Sequence, residues 1–336
     1  MSIVRVFLIL AFVAALAVLT AIGLAALSGI GHRWVDILAQ FPSPAFACAV
    51  VLTTLALLLS MRRVAELSLA VAGLLAVAAS PQWFPPRATP APDSPSMTVY
   101  SANLWARNPD VEAQIRSVAA SNADIVMLVE VGDAVTPHLD RLLAGHPHRL
   151  ASQVHDGANG RSRTVIASRW PLGETRFSDP VWGLEAVAET PLGPVRLVAA
   201  HMTRPWPFRY QWGQLSHAER LAQLKGDDPR PFILAGDFNS VSTARVGTLI
   251  KDLNGAWAAP GWPGTWPSVV PGPFRVTIDQ VYYSPKLALT ARRLGAATGS
   301  DHAPVITSFR RARAAPDVRR DPSSESPPRS TPPRTP

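Results

Sequence analysis

Apolar residues run almost without interruption from Ile3 to Ile30, broken by Arg5, Thr20 and Ser28. Two shorter apolar runs follow, Ala45 to Ser60 and Val64 to Ala79, joined by Met61, Arg62 and Arg63. The first run is long enough to cross a hydrocarbon core of roughly 30 Å, and the other two stand near the lower limit of about 17 residues for a span. The pattern predicts about three transmembrane helices within residues 1–80, the second and third forming a hairpin. A cleaved signal peptide is the alternative for the first run. Its apolar length exceeds a usual signal core, and two more apolar runs follow, which favours an anchor.

Basic residues set the orientation. Arg5 and the Arg62–Arg63 pair fall on the cytoplasmic side, whereas the loop from Gly31 to Pro44 holds Arg33 offset by Asp36. Everything after Ser80 then lies outside, so the expected location is the inner (cell) membrane, multi-pass, with the following domain facing the periplasm if the chain is bacterial. Trp83 and Phe84 are placed to act as aromatic anchors at the exit interface. Residues 81–96, with Pro85, Pro86, Pro90 and Pro92, read as a semi-rigid linker.

From Met97 the pattern changes to short apolar strands alternating with amphipathic helices. Strands are expected at Met97–Asn103, Asp124–Glu130, His148–Gln153, Thr164–Ser168, Leu184–Thr190, Val195–His201, Phe232–Ala235, Thr277–Tyr283 and Ala303–Phe309. Helices are expected at Asp110–Ala120, with Val111, Ile115 and Val118 on one face, and at Gln211–Leu224. Many strands with helices between them imply a mixed α/β layered domain over residues 97–310.

Polar residues recur where these strands end: Asn103, Glu130, His201, Asp237 with Asn239, Asp279, and Asp301 with His302. In Phe232–Ser240, Gly236 lets the chain turn so that a carboxylate and a carboxamide emerge together. Asp237 can ligate a hard divalent cation, and Asn239 can donate to an oxyanion without adding negative charge. Taken singly, each has a bland explanation, Asp237 and Asn239 as turn formers and Asp279 as a strand-end cap. Their recurrence in one domain points to a site.

Composition adds limits. The 336 residues include one cysteine, Cys48, so there is no intrachain disulfide framework and no thiolate zinc site. The net charge of +8 permits an anionic partner, but much of the excess sits in the Pro- and Ser-rich tail, residues 311–336 preceded by Arg310. That tail cannot bury enough apolar surface to offset ordering entropy and is expected to be disordered.

The ordered set SANL, LVEV, AAH, GDFN, TIDQV and SDHAP resembles the endonuclease/exonuclease/phosphatase superfamily. The resemblance covers about residues 97 to 309 and implies an α/β, deoxyribonuclease I-like, four-layer αββα sandwich of two packed sheets flanked by helices. It also implies a phosphoesterase using Mg²⁺ or Mn²⁺, with Glu130, Asn103 and Asp301 around the metal. His302 would activate water or hold the scissile phosphate, and Asp279 would orient it. Asp237 and Asn239 would position water and phosphate, and His201 would stabilise the pentacovalent transition state. The residue chemistry agrees: oxygen donors suit a hard ion, and a histidine with an intrinsic pKa near 6.5 needs a carboxylate to fix its tautomer. Zinc is disfavoured by the oxygen-rich set.

The superfamily's members act on several phosphate esters, so nucleic acid and phospholipid both stand as phosphodiester substrates. The membrane is the other expected partner, and nothing in the sequence points to an obligate protein partner. Thr203–Tyr210, where arginines alternate with Trp206, Phe208 and Tyr210, can stack bases, rest on lipid headgroups or pack on the domain. Trp257–Phe274 can rim a cleft or pack on a sheet edge. Arg163 and Ser168 are given structural roles, and His138, His146, His148, His155 and His217 are expected at the surface or in loops. A catalytically silent, membrane-tethered binding module is the alternative to an enzyme, and the complete polar set argues against it.

Overall fold

The computed structural model describes residues 3–157, 160–173, 178–179, 183–205 and 211–313. The Trp206–Tyr210 portion of the aromatic loop and the tail beyond residue 313 lie outside these residues.

The N-terminal apolar runs form helices α1 (Ile3–Ser28), α3 (Pro42–Leu58) and α4 (Arg62–Trp83). α1 and α4 are long and apolar enough to cross a membrane. At 17 residues, α3 is about 26 Å long, short of a full span at 1.5 Å per residue. The hairpin therefore pairs one helix of spanning length with a shorter one. Ala45, Ala49, Ala72 and Leu75 are buried where the helices meet, and the small side chains of the three alanines allow close approach.

α4 continues through Pro81 to Trp83, so the Pro-rich segment starts later than its composition indicates. That segment is laid against the folded domain. Ala91 N donates to Arg311 O at 2.9 Å, and Arg313 N donates to Thr89 O at 2.8 Å. Trp83 does not stand free as an interfacial anchor: it packs edge-on against Phe46 and Trp262 and donates to Ser43 Oγ at 2.9 Å. Phe84 remains exposed.

Between α1 and α3 lies a short helix, α2 (Arg33–Leu38), whose Asp36 is buried. Its carboxylate accepts the Arg245 backbone N–H at 2.7 Å and a hydrogen bond from Gln211 Nε2, while Gly31 O accepts from Arg245 Nη1 at 2.9 Å. Burial pushes the Asp36 carboxyl above its ordinary range, partly opposed by these donors. The loop between two apolar helices is thus bonded to the start of α8 (Arg245–Asn254).

Among the described residues, the domain contains two seven-stranded sheets. One holds β1 (Met97–Asn103), β2 (Ile125–Gly132), β3 (His148–Ala151), β4 (His155–Gly157), β5 (Gly160–Ser168), β13 (Leu287–Leu294) and β14 (Val305–Arg311). Its order is β13-β14-β1-β2-β5-β3, with β4 on β5. The other holds β6 (Leu172–Gly173), β7 (Ser178–Asp179), β8 (Gly183–Thr190), β9 (Gly193–His201), β10 (Phe232–Asp237), β11 (Trp257–Ala258) and β12 (Asp279–Tyr283). Its order is β11-β12-β10-β9-β8-β6, with β7 on β8. Arg310 and Arg311 belong to β14 and not to the tail.

Side-chain alternation builds the layers. Val99, Met127 and Ile166 face Leu197, Ala235 and Val281 in the core between the sheets. Their neighbours Tyr100, Val126 and Leu128 point outward under α5 (Val111–Ser121), next to the short α6 (Leu139–Leu142). Val198, Leu234 and Tyr282 point outward under α7 (Trp212–Lys225) and α8 (Arg245–Asn254). Both faces of each central strand are covered, which is why those strands read as continuous apolar runs. The result is the α/β sandwich with helices on both outer faces.

Candidate active site

The topology brings the polar strand ends together. β1 runs parallel to β2, and β9 runs parallel to β10, so Asn103, Glu130, His201 and Asp237 all lie at C-terminal ends. β14 and β12 run antiparallel to β1 and β10, so their starts reach the same edge and bring His302 and Asp279 with them. In register, Asp237 stands opposite both His201 and Asp279.

Local backbone devices aim the side chains. The β2–β5 ladder shifts register between Leu128 and Val131, and Glu130 sits in that bulge with φ +51°. A non-glycine residue held there is strained, and the bulge re-aims a side chain that a regular strand would send outward with Val126 and Leu128. Gly236 adopts φ +143°, and a Cβ there would meet Ala200 O at 2.0 Å, so no other residue fits before Asp237. Asn239, at φ +48°, closes the turn by donating its N–H to Asp237 Oδ1 at 2.9 Å.

All eight residues singled out in the sequence join one network. His302 Nδ1 meets both oxygens of Asp279, at 3.1 and 3.0 Å. His302 Nε2 lies 3.8 Å from Asp237 Oδ2 and 3.9 Å from Asp301 Oδ1. Asn103 Nδ2 donates across the two sheets to Asp237 Oδ2 at 3.1 Å. His201 Nε2 lies 3.4 Å from Glu130 Oε1 and 3.6 Å from Asp237 Oδ2. Glu130 Oε2 accepts the Ala106 N–H at 3.1 Å, and Asn239 Nδ2 donates to Met202 O at 2.8 Å. Asp301 is the least enclosed: half its side chain is exposed, and Trp266 Nε1 donates to its Oδ2 at 3.0 Å.

Burial and charge oppose each other here. Burial pushes the Asp237 carboxyl above its ordinary range, reinforced by Asp279 and opposed by His302 and His201. For His302, burial favours the neutral ring, but Asp279 and then Asp237 outweigh it and raise its pKa to about 10. The buried Asp279–His302 pair is therefore a carboxylate holding an imidazolium, with Nε2 directed at Asp237.

A divalent cation fits this donor set. Asp237, Asp279 and His302 each offer a ligand atom within 4.8 Å of the others. Asp279 is already engaged by His302 Nδ1, which leaves Asp237 and the re-aimed Glu130 as hard oxygen donors beside it.

Several participants escaped the sequence reading. Thr265 Oγ1 accepts the Asp279 N–H at 3.3 Å, Ser300 Oγ accepts the His302 N–H at 3.1 Å, and Gln214 Nε2 donates to Phe238 O at 2.9 Å. Burial lowers the Arg292 pKa to about 10, against the pull of the Asp279 charge, and its Nη1 donates to Pro263 O at 2.7 Å. Hydroxyl and amide residues of this kind carry no motif. The tryptophans of residues 257–274 divide: Trp266 lines the cleft, Trp262 meets Trp83, and Trp257 packs on Tyr283 at the sheet edge. Ser168 is structural, accepting the Trp170 N–H at 3.0 Å. His146 lies in the loop before β3 as expected, though buried, with Nε2 bonding Ala123 O at 3.0 Å, whereas His217 is buried within α7 and is neither at the surface nor in a loop.

Among solved structures, the fold matches an endonuclease/exonuclease/phosphatase from Beutenbergia cavernae at 22% identity and TM-score 0.50, covering 65% of this chain and 72% of that one. A second from Bacteroides vulgatus matches at 15% identity and TM-score 0.52, covering 64% and 99%. A humanized D. rerio TDP2 matches at 16% identity and TM-score 0.50, covering 64% and 98%. At these identities the likeness is one of fold. A comparison of the sequence with curated proteins gives no match. The model of the Endonuclease/Exonuclease/phosphatase family matches residues 100–302, more than half of the sequence and the span that carries the network above, and the chain belongs to that family.

Proposed function

We propose that this chain is a membrane-anchored phosphodiesterase, dependent on Mg²⁺ or Mn²⁺, with the soluble domain outside the cytoplasm. The observation that carries the reading is the His302–Asp279 pair set 3.8 Å from Asp237 at the junction of the two sheets. Glu130 is the principal metal carboxylate, supported by Asn103 and, from the rim, by Asp301. When bound, the cation neutralises charge on the attacked phosphoryl group.

The chain's own groups account for the proton movements. Asp237, its proton affinity raised by burial, receives a proton from the attacking water, whose oxygen joins phosphorus. Asn239 fixes the turn that holds Asp237. His302, charged and anchored through Nδ1, presents Nε2–H to a phosphoryl oxygen, and His201 stands beside Glu130 to steady negative charge as it develops. The departing alcohol oxygen takes its proton from His302 Nε2, and Asp237, 3.8 Å away, returns the proton it took from water to the ring, so water is consumed and charge is conserved.

Full-length protein in detergent, given Mn²⁺ and a chromogenic bis-phosphodiester, single-stranded DNA, RNA or phospholipid, is expected to turn over at least one of them. A chelator should stop turnover and added metal should restore it. A folded chain inert on the whole series would return the silent binding module to the front.

The orientation has its own support. The α1–α3 loop and the start of the domain both lie at the end of the bundle opposite Arg62 and Arg63, and the loop is bonded to the domain. A periplasm-dependent reporter fused after Pro95 is expected to be active in a bacterial host, whereas activity of a cytoplasm-dependent reporter at that point would reverse the assignment.

A further inference from the structure

The network of carboxylates and histidines forms the base of a cavity of about 720 Å³. Part of its lining comes from outside the catalytic domain: Trp34, Ile37 and Phe41, on and just after α2, share it with Trp105, Trp266 and Ile278 of the domain. Phe41 packs with Trp266 and Ile278 in one apolar cluster. Trp34 remains half exposed, as do Leu27 and Ile30 at the end of α1, so exposed apolar side chains continue along the chain from the helix end to the cavity.

This wall is fixed in place. Asp36 sits in the same short helix as Trp34 and Ile37, with its carboxylate on the Arg245 N–H at the start of α8. The N-cap position of α8 is Ala244, which has no side-chain acceptor, so Asp36 supplies the missing cap and meets the positive end of that helix. The bond fixes a segment from between two apolar helices over the reacting groups.

We infer that the substrate is a membrane amphiphile, a phosphate ester carrying an acyl or isoprenoid chain, and that the 33–41 segment is the wall against which that chain lies while its phosphate reaches His302 and Asp237. The inference rests on the phosphodiesterase reading above. Polar chemistry at the base and aliphatic and aromatic surface above it match the two ends of such a molecule. A polynucleotide needs a series of cationic contacts along its backbone. Among the described residues lining this cavity, Arg204 is the one lysine or arginine, enough for a single headgroup. An extended lipid chain gains from each methylene taken out of water, and the flanking helices bring its source to the site.

The test uses full-length protein in neutral detergent and two p-nitrophenyl phosphodiesters alike except for a hexadecyl or a methyl group. The hexadecyl ester is expected to show the higher kcat/KM by at least about 100-fold. The paired substitution Trp34→Ala with Ile37→Ser should lower the ratio of the two kcat/KM values about 10- to 100-fold, the range set by small changes in an apolar pocket. Trp34→Phe should retain the preference. Equal rates for the two esters, a ratio unmoved by the paired substitution, or faster turnover of single-stranded DNA would overturn the inference and leave the hydrolase reading intact. A second readout does not depend on turnover: binding of labelled hexadecyl phosphate to the His302→Ala chain. A tenfold weakening by the paired substitution supports the wall, and unchanged affinity removes it, whether or not any ester is hydrolysed.

Discussion

Replacing His302 by alanine is expected to lower kcat on a chromogenic phosphodiester by about 10²- to 10⁴-fold, the range for loss of a positioned proton-transfer group, and Asp279→Asn by at least about 10²-fold. His302 has one nitrogen for each task. Nδ1 is held between the two oxygens of Asp279, and Nε2 faces Asp237. Asparagine keeps the shape of Asp279 but removes the charge that favours imidazolium, so the ring is neutral at higher proton concentration than in the wild type. Stability reads the same change without substrate. In the metal-free chain the folded His302 has a pKa near 10, above its ordinary 6.5. A raised folded pKa contributes stability that is fully present below about 6.5 and lost as pH rises through about 10. The thermal midpoint of the metal-free chain should therefore fall across that window, and Asp279→Asn should flatten the fall. A variant with wild-type kcat and an unchanged pH slope would mean that the pair is packing and not chemistry.

The residues of that pair were legible because, although each alone has a bland explanation, they recur with Asn103, Glu130, His201 and Asp237 at strand ends of one domain. β1 was readable to the residue, Met97–Asn103, since the Pro-rich segment stops just before it and its mostly apolar residues, interrupted by Thr98 and Ser101, end on Asn103. What was not legible depends on partners distant in sequence. α8 gave no start signal because its cap is Asp36, 209 residues away. β13 was missed because Arg292 and Arg293 interrupt it and only its first three residues are buried, as befits the edge of a sheet. The bulge at Glu130 is hidden by Val131, which continues the apolar run on the next register. The wall of the cavity formed by Trp34, Ile37 and Phe41 was beyond reach for the same reason as α8. It exists only through docking of the loop on the domain, and the loop's sequence shows merely an acid offsetting an arginine.

Glu130→Gln is expected to abolish most of the thermal stabilisation that Mg²⁺ or Mn²⁺ gives the full-length chain, and to lower metal-dependent turnover with it. At a metal concentration 100 times the dissociation constant, binding to the folded state alone adds about 2.7 kcal/mol. For a domain of this size that corresponds to a rise in midpoint of about 5 to 10 °C. Glutamine removes the negative charge while keeping an oxygen that can accept the Ala106 N–H, and it leaves the bulge backbone as it is. The fold therefore stands and the comparison isolates the charge. Asp237 alone should not rescue binding, since burial already disfavours its charged form, His302 and His201 both face its Oδ2, and Oδ1 accepts the Asn239 N–H. The second measurement is turnover against metal concentration: the variant should need far more metal for half its maximal rate. An unchanged midpoint rise in Glu130→Gln would move the cation to the Asp237, Asp279 and His302 cluster. Asp279 could not then both orient His302 and bind metal, and the roles assigned to the pair would have to be redrawn around that competition.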